Sequence, residues 1–164
     1  MTPGETRGRG RKNPALSPCI LILGVGNILL SDEGVGVRVI EAMQEMTIPA
    51  NVELLDGGTA SVDLIDYLNN RDKVILIDAV QGKNEPGTIY RFTPADIKAQ
   101  KDIHTSVHQI DLLEALTMAE YLGDVPQNIV IYGIEPKELG WGLELSPEVA
   151  AVIPRVIELV LSEL

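Results

Sequence analysis

The chain has 164 residues, of which 45% are hydrophobic and only 4% aromatic. A chain of this length is expected to form one domain that buries about 70% of its unfolded surface, and the aliphatic content excludes a disordered protein. The single cysteine, Cys19, excludes an internal disulfide framework. No apolar run approaches the roughly 18 residues of a membrane span, so we expect no membrane insertion.

Charge is unevenly distributed along the chain. The whole sequence carries 13 Lys and Arg against 24 Asp and Glu, a net charge of −11, yet residues 1–18 are basic. Residues 19–164 therefore carry nine basic and 23 acidic side chains, a net charge of −14. Such an acidic body is a poor match for a phosphate backbone, so nucleic-acid binding is not expected, and its self-repulsion favours a monomer.

Residues 1–18 are rich in Gly, Pro, Arg and Thr and show no hydrophobic period. They predict a disordered basic tail before one folded domain at residues 19–164. The basic start is not followed by an apolar segment of the roughly 7–15 residues typical of a secretory signal. Together with the lone cysteine, this favours the reducing cytoplasm.

From Cys19 onward, apolar runs typical of strands alternate with helical patterns. In chain order they predict a strand at Cys19–Leu23, a helix over 34–46, a strand at Val52–Leu55, a short helix around Val62, Ile65 and Leu68, and a strand at Val74–Ile77. There follow a strand at Thr88–Phe92, a helix at Leu112–Leu122, a strand at Ile129–Ile134, and a final helix that opens with Ser146 and Pro147 and contains Pro154.

The composition of these runs indicates how they are arranged. Val74–Ile77 is apolar on every residue, as expected when both faces of a sheet are covered. Thr88–Phe92 alternates after a turn and fits an antiparallel edge strand. Pro154 should kink the final helix. The alternation of strands and helices predicts a single α/β domain with a mainly parallel sheet and helices on both faces.

Acidic residues follow the predicted strands. Asp32 and Glu33 come after the first strand, Asp56 follows the second, Asp78 ends the third and Glu135 ends the last. Open α/β sheets bind ligands at the carboxyl ends of their strands, so these five carboxylates would share one rim. Their mutual repulsion requires a compensating positive charge, and a metal ion is the simplest candidate.

The common 2-1-3 strand order would place Glu33 and Asp78 across a crevice between the first and third strands. A third ligand could come from His104 or His108, the only two histidines of the chain. Two carboxylates and one imidazole form a mixed oxygen and nitrogen site suited to Ni²⁺ or Zn²⁺.

Each of these residues also has a purely structural interpretation. Asp32 fits the N-cap of the first helix, and Glu33 could serve only the dipole of that helix. Asp78 could be an ordinary turn residue, and either histidine could be a solvated loop residue. The Asp56-Gly57-Gly58-Thr59 segment could be only a turn in which Thr59 caps a helix.

Gly24 and Gly26 after the first strand, with Asp56 closing the second, imitate a dinucleotide-binding fingerprint. However, Leu29 stands in place of the third glycine. Asp32 and its acidic neighbour would also repel phosphates from the start of the helix that should hold them. We therefore expect no nucleotide cofactor.

One long motif and four short ones stand in a recognisable order along the chain. The long motif is Gly24-Val25-Gly26-Asn27-Ile28-Leu29-Leu30-Ser31-Asp32-Glu33-Gly34-Val35-Gly36-Val37-Arg38. The short ones are Asp56-Gly57-Gly58-Thr59, Leu76-Ile77-Asp78-Ala79, His108-Gln109 and Gly133-Ile134-Glu135-Pro136. Over residues 20–160, this series closely resembles the hydrogenase maturation endopeptidase family.

The resemblance implies a cytoplasmic peptidase with a twisted five-stranded sheet between helices, so residues 19–164 would be its α/β peptidase domain. Such enzymes remove a short C-terminal extension from the large-subunit precursor of a [NiFe] hydrogenase once nickel has been inserted. By motif, the metal-contacting residues are Glu33, Asp78 and His108, which puts His108 ahead of His104. The Asp56-Gly57-Gly58-Thr59 segment is associated with substrate recognition and efficient cleavage.

The chain has no HExxH zinc motif and no candidate Ser–His–Asp set, so hydrolysis would depend on carboxylates, a metal or both. We expect Glu33, Asp78 and His108 to engage nickel that the precursor carries. Asp78 is the first choice for the catalytic base, with Glu33 and Asp56 as further catalytic carboxylates. The alternative from another class is a nickel-binding chaperone that escorts the large subunit without cutting it.

Overall fold

Five β-strands form the framework of the protein, whose computed structural model describes residues 20–59, 65–99, 116–118, 120–122 and 125–164. The strands are β1 (Ile20–Val25), β2 (Val52–Gly58), β3 (Lys73–Ala79), β4 (Ile89–Phe92) and β5 (Asn128–Ile134). Each overlaps the strand predicted there, and the first three run further toward the acidic rim than predicted. The tail predicted at residues 1–18 lies outside the described residues, as does Cys19.

The strands form one sheet in the order β2-β1-β3-β5-β4. β4 pairs antiparallel with β5 at the edge, and all other neighbouring strands are parallel. This confirms the mainly parallel sheet, the 2-1-3 order and the antiparallel edge strand. β1 and β3 are adjacent, with Gly24 opposite Ile77, so their carboxyl ends meet at one crevice.

Helical segments connect the strands. They are a 3₁₀ turn at Ser31–Gly34, α1 (Val35–Gln44), α2 (Ile65–Leu68), α3 (Pro94–Ala99) and α4 (Pro147–Ser162), and residues 116–118 and 120–122 are helical too. The rest of the predicted Leu112–Leu122 helix lies outside the described residues. The kink expected at Pro154 within α4 stays a prediction. Of the helices in the described part of the chain, none has the length and apolar composition that a membrane crossing needs.

The helix α3 was missing from the predicted elements, although the sequence holds a signal for it. The backbone N–H and the hydroxyl of Thr93 both donate to Oδ2 of Asp96, at 2.7 and 2.9 Å. A threonine followed three residues later by an acid is a helix-start pattern of this kind. The pattern is short, and the following residues give no long apolar stripe that would draw attention to it.

Apolar layers cover the two faces of the sheet. On one face, α1 and α4 bury an apolar stripe made of Val35, Val39, Ile40, Met43, Val149, Val156 and Val160. On the other face, Leu68 of α2 and Leu116 pack with Leu21, Leu23 and Val74 of the strands. Helices on both faces explain why β1 and β3 are apolar at nearly every residue, as predicted.

Glycines let the segment after β1 approach the sheet closely. A Cβ atom on Gly36 would overlap the carbonyl oxygens of Val25 and Ile77, and one on Gly24 would overlap the carbonyl oxygen of Gly36. Only glycine allows backbones to come so near, so the start of α1 lies directly against the ends of β1 and β3. The same contact brings the preceding 3₁₀ turn, which contains Glu33, to the crevice between these strands.

Candidate active site

Asp78 lies in β3 at the crevice, with a side chain only 2% exposed. Its Oδ1 accepts the backbone N–H of Ala79 at 2.8 Å, whereas Oδ2 is buried and has no hydrogen-bond partner among the described residues. Burial raises the pKa of Asp78 well above its ordinary value; the Ala79 hydrogen bond opposes this, and the nearby charge of Glu33 adds to the rise. A buried carboxyl oxygen of this kind is rare in proteins, and a proton, a water molecule or a cation can complete it.

Glu33 lies in the 3₁₀ turn, which contacts β3 directly. Its side chain is partly buried, and its charge raises the pKa of Asp78, so the two carboxylates are neighbours at one crevice. The structure therefore brings together two of the three residues predicted to contact a metal. The alternative that Asp78 is an ordinary turn residue is wrong, because Asp78 lies within a parallel strand paired with β5.

Asp56 lies on the other side of β1, near the end of β2. Its side chain is exposed, and its Oδ1 accepts the N–H of Gly58 at 2.9 Å. A register shift leaves Gly57 as an extra residue in β2, and Gly58 follows with a φ of +50°, a left-handed conformation that favours glycine. The N–H of Gly26 donates to the carbonyl oxygen of Gly58 at 2.8 Å, so this bulged turn is attached to the loop after β1.

An open groove of about 320 Å³ separates the Asp56-Gly57-Gly58-Thr59 segment from the loop after β1. Its lining residues are Gly26, Asn27, Ile28, Leu29, Val37, Asp56, Gly58 and Thr59. A cleft of this size can hold a small ligand or a short stretch of peptide. The groove lies on the β2 side of β1, and the Asp78 crevice lies on the β3 side, so the predicted recognition segment and the predicted metal contacts flank one strand.

Asp32 does not cap α1, since Gly34 occupies that position. Its fully buried carboxylate instead accepts four hydrogen bonds of 2.7–2.9 Å, from the backbone N–H groups of Lys137, Glu138 and Ser146 and from the Ser146 hydroxyl. Burial raises the pKa of Asp32, but these bonds together hold it below its ordinary value. The N-cap interpretation is wrong because the donors come from residues 105–114 positions later in the chain.

Glu135 is likewise buried and satisfied by the protein itself. Its Oε2 accepts the backbone N–H of Gly82 and the hydroxyl of Tyr90, each at 2.6 Å. Burial and the hydrogen bond with Glu135 raise the pKa of that tyrosine. The expectation of five repelling carboxylates on one rim is therefore corrected, because Asp32 and Glu135 are held by hydrogen bonds from the protein itself. Glu33, Asp56 and Asp78 stay the predicted catalytic acids.

Both histidines, His104 and His108, lie outside the described residues, so the third metal contact stays a prediction. Within the described ranges, no group of three or more His, Cys, Asp or Glu side chains could hold a metal ion. Glu33 and Asp78 provide two carboxylates, and Oδ2 of Asp78, which has no partner within the described ranges, fits a cation that is shared with a further ligand.

Known proteins have a similar architecture and a similar sequence. A family profile described as hydrogenase maturation protease (HycI) matches residues 37–163. Hydrogenase 2 maturation protease of Escherichia coli K12 is 41% identical over 147 residues, which cover 88% of this chain and 90% of that protein. The solved structure of the hydrogenase maturating endopeptidase HybD from E. coli matches with a TM-score of 0.81 at 40% identity, over 88% of this chain and 90% of that chain. A [NiFe] hydrogenase maturation protease HybD from Thermococcus kodakarensis matches with a TM-score of 0.72 at 28% identity, over 87% and 97%.

These matches confirm the resemblance drawn from the motifs, including the five-stranded fold. The chain is a peptidase and belongs to the hydrogenase maturation protease family.

Proposed function

We propose that this peptidase removes a C-terminal extension from the large-subunit precursor of a [NiFe] hydrogenase after nickel insertion, acting as a cytoplasmic monomer. Membership of the family supports both the peptidase activity and the role in hydrogenase maturation. The observation that carries the site assignment is the buried Asp78 carboxyl, whose Oδ2 has no partner among the described residues and which lies beside Glu33.

In this proposal, nickel belongs to the substrate rather than to the resting enzyme. An ionised Asp78 is costly in the crevice because the group is buried and close to another negative charge. A divalent cation carried in by the precursor favours the charged form of both Asp78 and Glu33, with His108 as the predicted third ligand. A precursor without the ion lacks this compensating charge, so the site would distinguish finished from unfinished precursors.

Asp78 is the candidate for the group that takes a proton from the attacking water. In the nickel-loaded complex the ion would hold Asp78 in its charged form, which is the form that can accept this proton. Burial and the charge of Glu33, which raise the pKa of Asp78, favour the uptake of the proton. The resulting hydroxide adds to the carbonyl carbon of the scissile bond, and the carbon–nitrogen bond then breaks. The proton passes to the leaving amine, so the products are a carboxylate and a free amine. The peptidase would then be of the aspartic type, and its metal dependence would come from the substrate.

Substrate recognition is assigned to the groove on the other side of β1. Asp56, Gly58 and Thr59 line this groove, and the bulge at Gly57 sets their position. An extended segment of the precursor lying in the groove would pass β1 next to the Asp78 crevice. Asp56 is exposed there and would contact the bound segment, with a secondary effect on cleavage.

A nickel-binding chaperone that does not cut the precursor is not favoured. The E. coli relative is named a maturation protease, and the matching solved structure is named an endopeptidase. The two functions differ in one observable, the covalent state of the precursor after it has met the enzyme.

The test is the mass of a purified large-subunit precursor, nickel-loaded or nickel-free, before and after incubation with the enzyme. We expect loss of a C-terminal peptide from the nickel-loaded form only. An unchanged mass of the nickel-loaded precursor would favour the chaperone. Equal cleavage of the nickel-free precursor would contradict the role given to nickel while leaving the peptidase assignment intact.

A further inference from the structure

Five large apolar side chains are exposed next to the candidate active site. They form what we call the apolar lip, composed of Ile28, Leu29, Leu139, Trp141 and Leu143. Trp141 is the only tryptophan of the chain and is 84% exposed, and Leu143 is 63% exposed. Exposed apolar groups gathered in one place mark an interaction surface more often than a solvent face.

The apolar lip is held in place by the backbone and is not a loose loop end. Gly142, between Trp141 and Leu143, donates its N–H to the carbonyl oxygen of Leu29 at 2.9 Å and accepts the N–H of Ser31 at 2.8 Å. The Ser31 hydroxyl donates to the carbonyl oxygen of Gly140 at 2.9 Å. With the four hydrogen bonds to Asp32, these contacts fasten residues 137–146 to the loop after β1, so the apolar side chains are pre-positioned.

The apolar lip is continuous with the groove described above. Ile28 and Leu29 belong to both, and Asp56 and Thr59 line the same groove. A chain segment lying in the groove would therefore meet the apolar lip as it leaves. This continuity with the site points to the substrate polypeptide as the occupant.

Charge around the apolar lip defines the chemistry of that occupant further. Glu138 and Glu144 are exposed beside it, and neither forms an ion pair within the described residues. The neighbouring cations are engaged within the protein: Lys137 pairs with Glu148 at 2.6 Å, and Arg38 pairs with Glu41 and donates to the carbonyl oxygen of Leu143. The surface is thus apolar in its middle and acidic at its rim, which complements an apolar segment with basic residues beside it.

We propose that the apolar lip docks an extended apolar segment of the precursor, flanked by basic residues, while the bond to be cut lies in the Asp78 crevice. The inference rests on the proposed function, since it names the surface through which that substrate is held. Trp141 is the anchor, because it is the largest and most exposed side chain of the apolar lip and therefore loses the most solvent contact on docking.

The test is the steady-state cleavage of nickel-loaded precursor by Trp141→Ala and Leu143→Ala, compared with the wild-type protein. We expect KM to rise about tenfold for Trp141→Ala, with kcat within about twofold, because docking residues do not touch the reacting atoms. The matched control is Tyr121→Ala. This tyrosine is 94% exposed, is helical and belongs to neither the apolar lip nor the lining of the groove. An unchanged KM in Trp141→Ala would overturn the proposal.

A second readout does not depend on cleavage. Protein labelled with 5-fluorotryptophan has one fluorine resonance, because Trp141 is the sole tryptophan. We expect this resonance to shift when the precursor is added and to stay unchanged when the enzyme alone is concentrated. A shift on concentration, with a dimer in sedimentation that Trp141→Ala dissociates, would show that a second copy occupies the surface and would overturn the proposal. If the wild-type protein left the precursor uncut while the resonance shifted, the proposed function would fail and the docking surface would stand.

Discussion

Asp32 and Asp78 lie at the same end of the sheet and are both buried, yet their surroundings differ. Asp32 accepts four hydrogen bonds from Lys137, Glu138 and Ser146, and these bonds lower its pKa despite burial. Asp78 accepts one, keeps Oδ2 without a partner among the described residues, and has a raised pKa because burial dominates.

This difference in hydrogen bonding distinguishes an aspartate with a structural role, Asp32, from one that we propose to be catalytic, Asp78. Backbone N–H groups of the protein itself hydrogen-bond to Asp32, and Asp32 therefore joins the loop after β1 to residues 137–146. At Asp78 the corresponding donors are missing from the described residues, and in our proposal this carboxylate is left for the cation that the substrate carries. Sequence position alone does not distinguish the two, because both follow or end an apolar strand.

The largest expected effect comes from Asp78→Asn. We expect the rate of precursor cleavage to fall by at least about 100-fold, because the amide cannot take a proton from water. The free energy of unfolding should change little, because the amide oxygen can still accept the N–H of Ala79. Removal of a buried acid offsets the cost of the amide N–H₂ group at the position of Oδ2. Gel mobility of the large subunit over time and urea unfolding measure the two quantities. Cleavage at the wild-type rate would remove Asp78 from the mechanism.

The variant Asp32→Ala tests the structural role of the other aspartate. It leaves the buried N–H groups of Lys137, Glu138 and Ser146 without their acceptor, so we expect unfolding to become easier by about 3 kcal/mol. The measurement is the midpoint of urea unfolding at an unchanged slope. Asp72→Ala, at an exposed aspartate, is the control and should change stability by less than about 0.5 kcal/mol. A midpoint equal to that of the control would contradict the structural role of Asp32.

As pH rises, the contribution of Asp78 to the free energy of unfolding should fall, whereas that of Asp32 should increase. An unfolded aspartate titrates near pH 3.9, so above that pH the unfolded chain releases a proton that folded Asp78 keeps. Stability contributed by Asp78 is therefore complete below about pH 3.9 and falls by about 1.4 kcal/mol per pH unit above it, until the raised folded pKa is reached. For Asp32 the contribution is present above about pH 3.9 and is lost as pH falls through the lowered folded pKa.

Urea unfolding of the metal-free protein at a series of pH values measures this. The difference in unfolding free energy between the wild-type protein and Asp78→Asn should move in favour of the variant as pH rises from about 4 toward neutrality. A difference that stays constant over that range would show that folded Asp78 has an ordinary pKa.

Much of the fold could be predicted because each strand corresponds to a short apolar run in the sequence. β1 and β3 are buried on both faces, and their adjacency is that of the common 2-1-3 order expected for alternating strands and helices. Glu33 and Asp78 could be proposed as partners because Glu33 follows β1, Asp78 lies near the end of β3, and the 2-1-3 order makes these strands neighbours. The proximity of Glu33 and Asp78 thus follows from the order of the strands in the sheet, and the sequence pattern indicates that order.

The function of Asp32 could not be predicted in this way. Its donors lie 105–114 residues further along the chain, and the local rule that acids cap helices competed with them. The apolar lip was missed for a related reason, because Trp141 and Leu143 become neighbours of Leu29 only through the backbone bonds of Gly142. Residues 136–146 show no periodic pattern that would predict this contact.

The most direct test of the central claim is a titration of the aspartate carboxyl carbons by ¹³C NMR in the metal-free protein, with Asp78 and Asp32 assigned through their Asn variants. We predict that Asp78 titrates well above about 3.9, the ordinary value for an aspartate, and that Asp32 titrates below it. An Asp78 that titrates below this value, as Asp32 does, would mean that the protein already satisfies it. It would then not be the carboxyl set aside for the substrate.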